Sequence, residues 1–180
     1  WTSFNKSILT AKKELIMKMN DYINDFTKHL SDAINIAENT ILTRCNKEIR
    51  NVLICGLGGS GIGGTIVADI IAEDANIPIA STKDYSIPNF VNEHTLIIAN
   101  SYSGNTEETL SALEKCQSKG AEIAVITSGG KLKKIAEENN YNKIIIPGDQ
   151  PPRAMFGYAF TEIFFLLNHY RIISMNPCII

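Results

Sequence analysis

The sequence lacks a surplus of positive charge and long apolar runs. Its 180 residues carry 17 basic against 19 acidic side chains, a formal net charge of −2, whereas a general nucleic-acid binder needs clustered lysine and arginine to hold the phosphate backbone. Even the apolar stretch 163–173 is interrupted by Asn168, His169 and Arg171, and it is far shorter than the roughly 20 apolar residues of a membrane-spanning helix. We therefore expect neither nucleic acid nor a membrane as a partner.

Cysteine is also scarce and unpatterned. The four residues, Cys45, Cys55, Cys116 and Cys178, form no CxxC pair and have no histidine at zinc-ligand spacing, so neither a disulfide framework nor a metal site is predicted. The N-terminus has no secretory pattern, and a cytoplasmic location is the expectation. The chain begins with Trp1 and ends in an apolar segment, and we interpret it as part of a longer protein.

Helical periodicity dominates the N-terminal quarter of the chain. Apolar residues between positions 2 and 47 recur at three- and four-residue steps, which predicts amphipathic helices. We expect residues 1–47 to form a helical lead-in that packs on a single domain comprising residues 48–180.

From residue 51 onward, short apolar runs alternate with helical patterns. The predicted strands are residues 52–55, 77–80, 95–99, 122–127 and 143–146, and the predicted helices are residues 65–72, 106–119 and 132–138. Parallel neighbouring strands need crossover connections, which helices supply. The pattern therefore predicts an α/β fold, a three-layer αβα sandwich with a five-stranded, mainly parallel sheet. The segment after Pro152 is apolar on nearly every side, which predicts a buried helix or one that needs a partner.

A glycine-rich run, residues 56–64, follows the first predicted strand. Glycines permit close backbone approach, and a helix N-terminus offers free N–H groups to an anion. Gly56, Gly58 and Gly61 also fit the dinucleotide fingerprint, with Asp84 as the ribose-binding acid. A third interpretation is a tight turn without a ligand. We favour an anionic ligand over NAD because the fingerprint alone is unspecific.

A second unusual loop, residues 100–109, follows the third predicted strand. Ser101, Ser103 and Thr106 each carry a hydroxyl that can donate to a phosphate oxygen, and hydrogen bonds to charged groups are worth about 1.5–3 kcal/mol each. The alternative is that one hydroxyl caps the helix, with Glu107 and Glu108 placed at the positive end of its dipole. Capping accounts for one hydroxyl only, so the loop predicts a phosphate cradle.

Three segments together resemble the sugar isomerase (SIS) domain and, within that family, the bifunctional phosphoglucose/phosphomannose isomerases. They are residues 56–64 (GLGGSGIGG), residues 101–109 (SYSGNTEET) and residues 151–158 (PPRAMFGY). The serine-rich segment is common to SIS domains, whereas the Pro-Pro-Arg segment narrows the resemblance to the bifunctional isomerases. The resemblance implies a flavodoxin-like SIS fold. It also implies interconversion of glucose 6-phosphate or mannose 6-phosphate with fructose 6-phosphate through an enediol, in carbohydrate metabolism (glycolysis and gluconeogenesis).

The resemblance also implies roles for individual residues. Gly59 and Ser60 would contact the sugar, Ser101, Ser103 and Thr106 would hold the 6-phosphate, and Arg153 would lie beside the reacting carbons as the catalytic residue. Arg153 stands at a proline-marked helix start, where a permanently charged guanidinium can stabilise the oxyanion of an enediolate. We expect neither a cofactor nor a metal, and we expect the protein to form a homodimer.

The sequence departs from the family in length. Members resemble two SIS domains in tandem, and the matched motifs belong to the first, while the glutamate base, a histidine and a lysine belong to the second. We therefore expect this chain to bind phosphosugar but to be incomplete for catalysis. The alternatives are a non-catalytic phosphosugar sensor and a stand-alone isomerase that completes its site by oligomerisation and recruits Glu162 or Glu108 as the base. The preferred epimer stays open.

Overall fold

The computed structural model describes residues 20–174, which form a three-layer αβα sandwich around a five-stranded parallel sheet. The strand order is β2-β1-β3-β4-β5, and every pairing is parallel. The predicted fold class is confirmed. This order has its switch point between β1 and β3, and it differs from the 3-2-1-4-5-6 order of dinucleotide folds.

Helices and strands alternate along the chain. The strands are β1 (Asn51–Cys55), β2 (Ile79–Thr82), β3 (Thr95–Asn100), β4 (Glu122–Thr127) and β5 (Asn142–Ile145). The helices are α1 (Phe26–Asn39), α2 (Gly58–Ile70), α3 (Glu107–Ser118), α4 (Gly130–Glu138) and α5 (Phe156–His169), and a 3₁₀ turn (Pro152–Met155) precedes α5.

Side chains from successive strand residues enter two separate cores. In β3, Leu96 and Ile98 pack with the apolar cluster beneath α2 and α5, whereas Ile97 and Ala99 pack with the cluster beneath α3 and α4. All four side chains are fully buried. This two-residue alternation explains why the central strands are apolar throughout, as expected for a parallel sheet covered on both faces.

Helix α2 begins seven residues earlier than predicted, at Gly58 instead of Thr65. The glycine-rich run disfavours a helix, because each glycine costs a helix roughly 1 kcal/mol relative to alanine. Tertiary packing overrides that preference. A Cβ on Gly64 would lie 2.6 Å from Cγ2 of Ile54 in β1, and one on Gly63 would lie 3.6 Å from Cβ of Ala159 in α5. The glycines thus let α2 lie close to both neighbours.

Other boundaries also differ from the prediction. Strand β2 covers residues 79–82 instead of 77–80, because Pro78 contributes its carbonyl to Val52 but has no N–H for the ladder. The helical lead-in ends at Asn39, and residues 40–50 are irregular. The predicted helix over residues 2–19 lies outside the described residues.

The irregular segment crosses the amino ends of the strands. The side chain of Asn142, the first residue of β5, accepts from the N–H of Thr43 at 2.7 Å and donates to its carbonyl at 2.9 Å. Asn142 also donates to the hydroxyl of Tyr170, which donates to Glu122. This network holds the irregular segment and the end of α5 at the amino ends of β4 and β5. Among the described helices, none is long and apolar enough to cross a membrane.

Candidate functional site

The three segments singled out in the sequence meet at the opposite end of the sheet, beyond the carboxyl ends of the strands. The glycine-rich run follows β1, the serine-rich loop follows β3, and the Pro-Pro-Arg segment follows β5. Strands β1 and β3 are direct neighbours, so the first two segments flank the switch point, where ligands bind in open α/β sheets.

The serine-rich loop holds its hydroxyls close together. Oγ of Ser101, which is buried, lies 2.8 Å from Oγ1 of Thr106. Ser103 is exposed, and its Oγ accepts the N–H of Asn105 at 3.3 Å, which leaves its own hydroxyl hydrogen free to donate to a ligand. Gly104 has φ +66°, and a Cβ there would lie 1.9 Å from the carbonyl oxygen of Gly129. Only glycine therefore allows this loop to pack against the β4–α4 connection.

The helix-capping interpretation of this loop is wrong in one respect. Thr106 occupies the N-cap position of α3, yet within the described chain no side chain caps this helix. Its hydroxyl is turned toward Ser101 instead. The first-turn N–H groups of α3 therefore have no side-chain acceptor, and the positive end of the helix dipole remains available to an anion.

The glycine-rich run contributes Gly59 and Ser60. A Cβ on Gly59 would lie 3.2 Å from the carbonyl oxygen of Pro152 and 3.7 Å from Cα of Arg153, so the absence of a side chain brings α2 against the Pro-Pro-Arg segment. The Ser60 carbonyl accepts from Nδ2 of Asn100 at 3.0 Å, and the Ser60 Oγ accepts the N–H of Tyr102 at 3.2 Å. The hydroxyl hydrogen of Ser60 is left to donate to a ligand.

Arg153 lies on the 3₁₀ turn beside Gly59 and is exposed. In the described part of the chain, its guanidinium has neither a hydrogen bond nor an ion pair. The usual alternative for an isolated arginine is a surface residue or a member of an ion pair; the structure shows an exposed side chain and, among the described residues, no ion pair. A guanidinium without a partner can bind an anionic oxygen, and the backbone of Arg153 lies next to Gly59.

The two candidate bases lie away from the site or next to another side chain. Glu162 is fully buried in α5, one turn beyond Ala159, and burial raises its pKa to about 8. Because Gly59 faces Arg153 and Gly63 faces Ala159, Glu162 lies roughly 10 Å along the helix from the site. Glu108 is beside the hydroxyl of Tyr85, whose pKa is raised by burial and by this carboxylate.

Two of the three histidines are separate from the three motifs, and His29 contacts the end of the third. His94 and His169 contact backbone carbonyls of residues 48 and 43, in the segment that crosses the amino ends of the strands. His29 lies in α1, and its ring packs on Tyr158. Asp84, the acid of the dinucleotide interpretation, is exposed and accepts the N–H of Tyr85 at 2.6 Å.

The sequence reasoning missed three residues of this region. Asn100 and Tyr102 connect the serine-rich loop with Ser60, and their positions next to the candidate serines were the only signal. Lys83 follows β2, and its Cε would lie 3.3 Å from a Cβ on Gly61. A lysine that directly follows a strand is a detectable signal, and this one places a cation beside the start of α2.

Comparison with known proteins agrees with this geometry. The family model for the SIS domain matches residues 47–170. The bifunctional phosphoglucose/phosphomannose isomerase of Caldicellulosiruptor bescii is 40% identical over 148 residues, which cover 82% of this chain and 44% of the relative. The D-glucosamine-6-phosphate 4-epimerase of Sulfolobus acidocaldarius is 38% identical over 123 residues, 68% of this chain and 39% of the relative.

The solved structures agree on the fold. The crystal structure of a candidate phosphosugar isomerase from Clostridium difficile 630 superimposes with a TM-score of 0.68 at 18% identity, covering 84% of this chain and 45% of that one. The matched part of this chain thus spans less than half the length of the two curated relatives named above.

Proposed function

Because this chain belongs to the SIS-domain family, we propose that it is the phosphosugar-binding domain of an isomerase that interconverts glucose 6-phosphate or mannose 6-phosphate with fructose 6-phosphate. The observation that carries the proposal is the close approach of Gly59 to the backbone at Pro152 and Arg153, which brings an arginine with an unpaired guanidinium next to the glycine-rich run. A phosphate cradle alone would suit any phosphorylated ligand. A guanidinium near the cradle suits a ligand that develops a negative oxygen during the reaction, as an enediolate does.

In this proposal the phosphate is held by hydroxyl and backbone donors. Ser101, Ser103 and Thr106 donate to its oxygens together with the first-turn N–H groups of α3, and Lys83 adds long-range attraction. Helix N-termini and converging hydroxyls suit a dianion, because charge-assisted hydrogen bonds are about twice as strong as neutral ones. The mutual contact of Ser101 and Thr106 is exchanged for contacts to the ligand.

The sugar would extend from the cradle toward Arg153. Gly59 and Ser60 contact its hydroxyls, and the guanidinium faces the oxygens on C1 and C2. When a base removes the proton from C2 of the aldose, the electron pair forms the enediolate, and its negative oxygen is stabilised by Arg153. The hydroxyl proton on O2 passes to O1, and the base delivers the proton taken from C2 to C1, which gives the ketose.

The base for this step would come from outside residues 20–174. Glu162 is buried away from the site, and Glu108 is next to Tyr85. General acid–base help is typically worth 10²- to 10⁴-fold, so this chain alone should bind phosphosugar and turn it over poorly. We further propose a cytoplasmic homodimer acting in glycolysis and gluconeogenesis, with residues 48–180 as the binding domain and the preceding residues packed on it. The exposed apolar side chains of Ile62 and Ile70 on α2 support self-association.

Calorimetric titration of the chain with fructose 6-phosphate, against unphosphorylated fructose and NAD, tests the binding. We expect binding that depends on the phosphate. Ser101→Ala should weaken it roughly 10- to 100-fold, since one hydrogen bond to a charged group is lost. Ser118→Ala is the matched control, because that hydroxyl, at the far end of α3, only donates to the Lys115 carbonyl. Binding of NAD alone, or of fructose as tightly as its phosphate, would overturn the proposal.

Two other functions are separated by a second assay. A coupled isomerase assay on the same sample should show little turnover, and full turnover would mean that the chain assembles a complete site. The epimerase relative favours glucosamine 6-phosphate as a second candidate substrate, and product analysis by NMR distinguishes inversion at C4 from an aldose–ketose shift. In the full-length protein, Arg153→Ala should abolish turnover while phosphate affinity is retained. A sensor module would show no turnover to lose.

A further inference from the structure

Tyr102 forms hydrogen bonds with three segments that are distant in sequence. Its N–H donates to Oγ of Ser60 at 3.2 Å, and its carbonyl accepts from the N–H of Ser128 at 3.0 Å and from the Ser128 hydroxyl at 2.7 Å. Its hydroxyl accepts the backbone N–H of Gln150 at 2.8 Å. The role of the backbone groups is to hold the loop, but the hydroxyl bond reaches the segment that carries Arg153.

The connection from Gln150 to Arg153 is short and stiff. Two prolines separate them, and each proline fixes its own φ and restricts the residue before it. Pro151 has φ −59° and ψ 126°, and its carbonyl accepts the N–H of Ala154 at 2.9 Å, which closes the 3₁₀ turn. A bond that fixes the Gln150 amide therefore also fixes the backbone at Arg153.

The guanidinium of Arg153 itself is held by no partner among residues 20–174, so its position depends on the backbone beneath it. Two contacts set that backbone: the close approach of Gly59 on one side and the Tyr102 hydroxyl on the other. The hydroxyl of Tyr22 also contacts Oε1 of Gln150. That contact fixes only the Gln150 side chain, whereas Tyr102 holds the main chain.

We propose that Tyr102 is a positioning residue whose hydroxyl, through the Gln150 amide, sets the distance between Arg153 and the phosphate cradle. The inference rests on the proposed function, and it adds a residue that acts on the sugar end of the ligand without touching it. Tyr102 lies between Ser101 and Ser103, so in this proposal the loop that binds the phosphate also fixes the distance to Arg153. The ring packs against the core beneath α2 and α5, so a phenylalanine retains the packing and loses only the hydroxyl.

The test compares Tyr102→Phe with Tyr170→Phe. Tyr170 is the matched control because its hydroxyl is also hydrogen-bonded, to Asn142 and Glu122 at the amino ends of β5 and β4. For Tyr102→Phe we expect the dissociation constant for inorganic phosphate to stay within about twofold of wild type, and that for fructose 6-phosphate to rise roughly 2- to 10-fold, the effect of one neutral hydrogen bond. Tyr170→Phe should change neither constant.

A double mutant ties the effect to Arg153. If the hydroxyl acts through the guanidinium, Tyr102→Phe combined with Arg153→Ala should bind fructose 6-phosphate no more weakly than Arg153→Ala alone. Additive losses would overturn the proposal, as would equal weakening toward phosphate and fructose 6-phosphate, because a general loosening of the loop explains both.

A ligand-free measurement separates this proposal from the proposed function. In ¹⁵N NMR, Tyr102→Phe should accelerate hydrogen exchange of the Gln150 amide and shift the Nε–Hε resonance of Arg153, and Tyr170→Phe should leave both unchanged. Unchanged resonances in Tyr102→Phe refute the positioning role even if the wild type binds phosphosugar. Changed resonances in a protein that binds no phosphosugar would refute the proposed function and leave the Tyr102–Gln150 link established.

Discussion

Replacing Glu162 with glutamine should prevent most of the loss of stability that the folded protein undergoes as the pH rises from about 4.5 to about 8. Glu162 is fully buried, and within residues 20–174 neither carboxylate oxygen has a hydrogen-bond partner. Burial alone raises its pKa from an ordinary value of 4.5 to about 8. The folded state therefore keeps the proton over a range in which the unfolded state has released it.

The sign and size of the effect follow from proton linkage. Below pH 4.5 both states are protonated, and the group costs no stability. Between pH 4.5 and about 8 only the folded state holds the proton, so the free energy of unfolding falls by about 1.4 kcal/mol per pH unit. The total loss is roughly 5 kcal/mol, which is a large part of the 5–15 kcal/mol typical of a domain. Above pH 8 the folded carboxyl ionises too, and the loss is complete.

Urea unfolding followed by circular dichroism at a series of pH values measures this contribution. The free energies of unfolding of wild type and Glu162→Gln should be similar near pH 4.5. They should diverge steadily as the pH rises, with the variant more stable by roughly 5 kcal/mol at pH 8. Glu114→Gln is the control, because Glu114 is an exposed glutamate on α3 and its removal should leave the wild-type slope. If the wild-type and Glu162→Gln curves stay parallel across this range, the carboxyl is not held protonated by burial and the reasoning fails.

Three further substitutions probe the packing and charge of the site. Gly64→Ala should destabilise the protein by roughly 1–3 kcal/mol in urea unfolding, because the new methyl group would lie 2.6 Å from Ile54 and overpacks the core. Gly104→Ala should abolish phosphosugar binding in calorimetry, because the loop has φ +66° and a Cβ would overlap the Gly129 carbonyl. Lys83→Gln should weaken phosphate binding about two- to fivefold, more at low salt than at high salt, because an exposed charge is screened.

Two of these substitutions, Gly64→Ala and Lys83→Gln, have a control in the same chain. Gly148→Ala, where a Cβ would meet nothing nearer than 3.8 Å, should leave stability unchanged, and an equal loss there would mean that packing is not the cause for Gly64. Lys119→Gln removes the same charge from the other end of α3. An equal loss of phosphate affinity in that variant would show that only net charge matters.

Local pattern was sufficient to predict the sheet. The apolar runs located β1, β3 and β4 to within one residue, because strands buried on both faces need continuous hydrophobicity. The start of α2 could not be found this way. Gly63 and Gly64 disfavour a helix intrinsically, and the reason for their presence is the close approach of Ala159, far along the chain, and of Ile54.

Candidate residues for the site could be proposed from the sequence, but the hydrogen bonds between them could not. Ser101 and Thr106 are recognisable donors, but a capping pattern cannot show that the Thr106 hydroxyl turns back to Ser101. The bond from Tyr102 to Gln150 spans 48 positions, and no local spacing encodes it. Likewise, the cause of the high pKa of Glu162 is the burial of α5 on several elements, which the amphipathic pattern of a single helix does not reveal.

Helix α5 is the last described element, and its position has a consequence for synthesis on the ribosome. Strands β1 to β5 emerge before it, yet one face of the sheet, with Ile54, Leu96 and Ile126, completes its core only with residues of α5 such as Ile163. A nascent chain that has released the sheet alone exposes an apolar face and lacks the 3₁₀ turn that carries Arg153. Pauses in translation before α5 should therefore leave the chain dependent on chaperones, since exposed sheet surface promotes aggregation. The ligand site and the covering of the sheet thus appear in the same folding step.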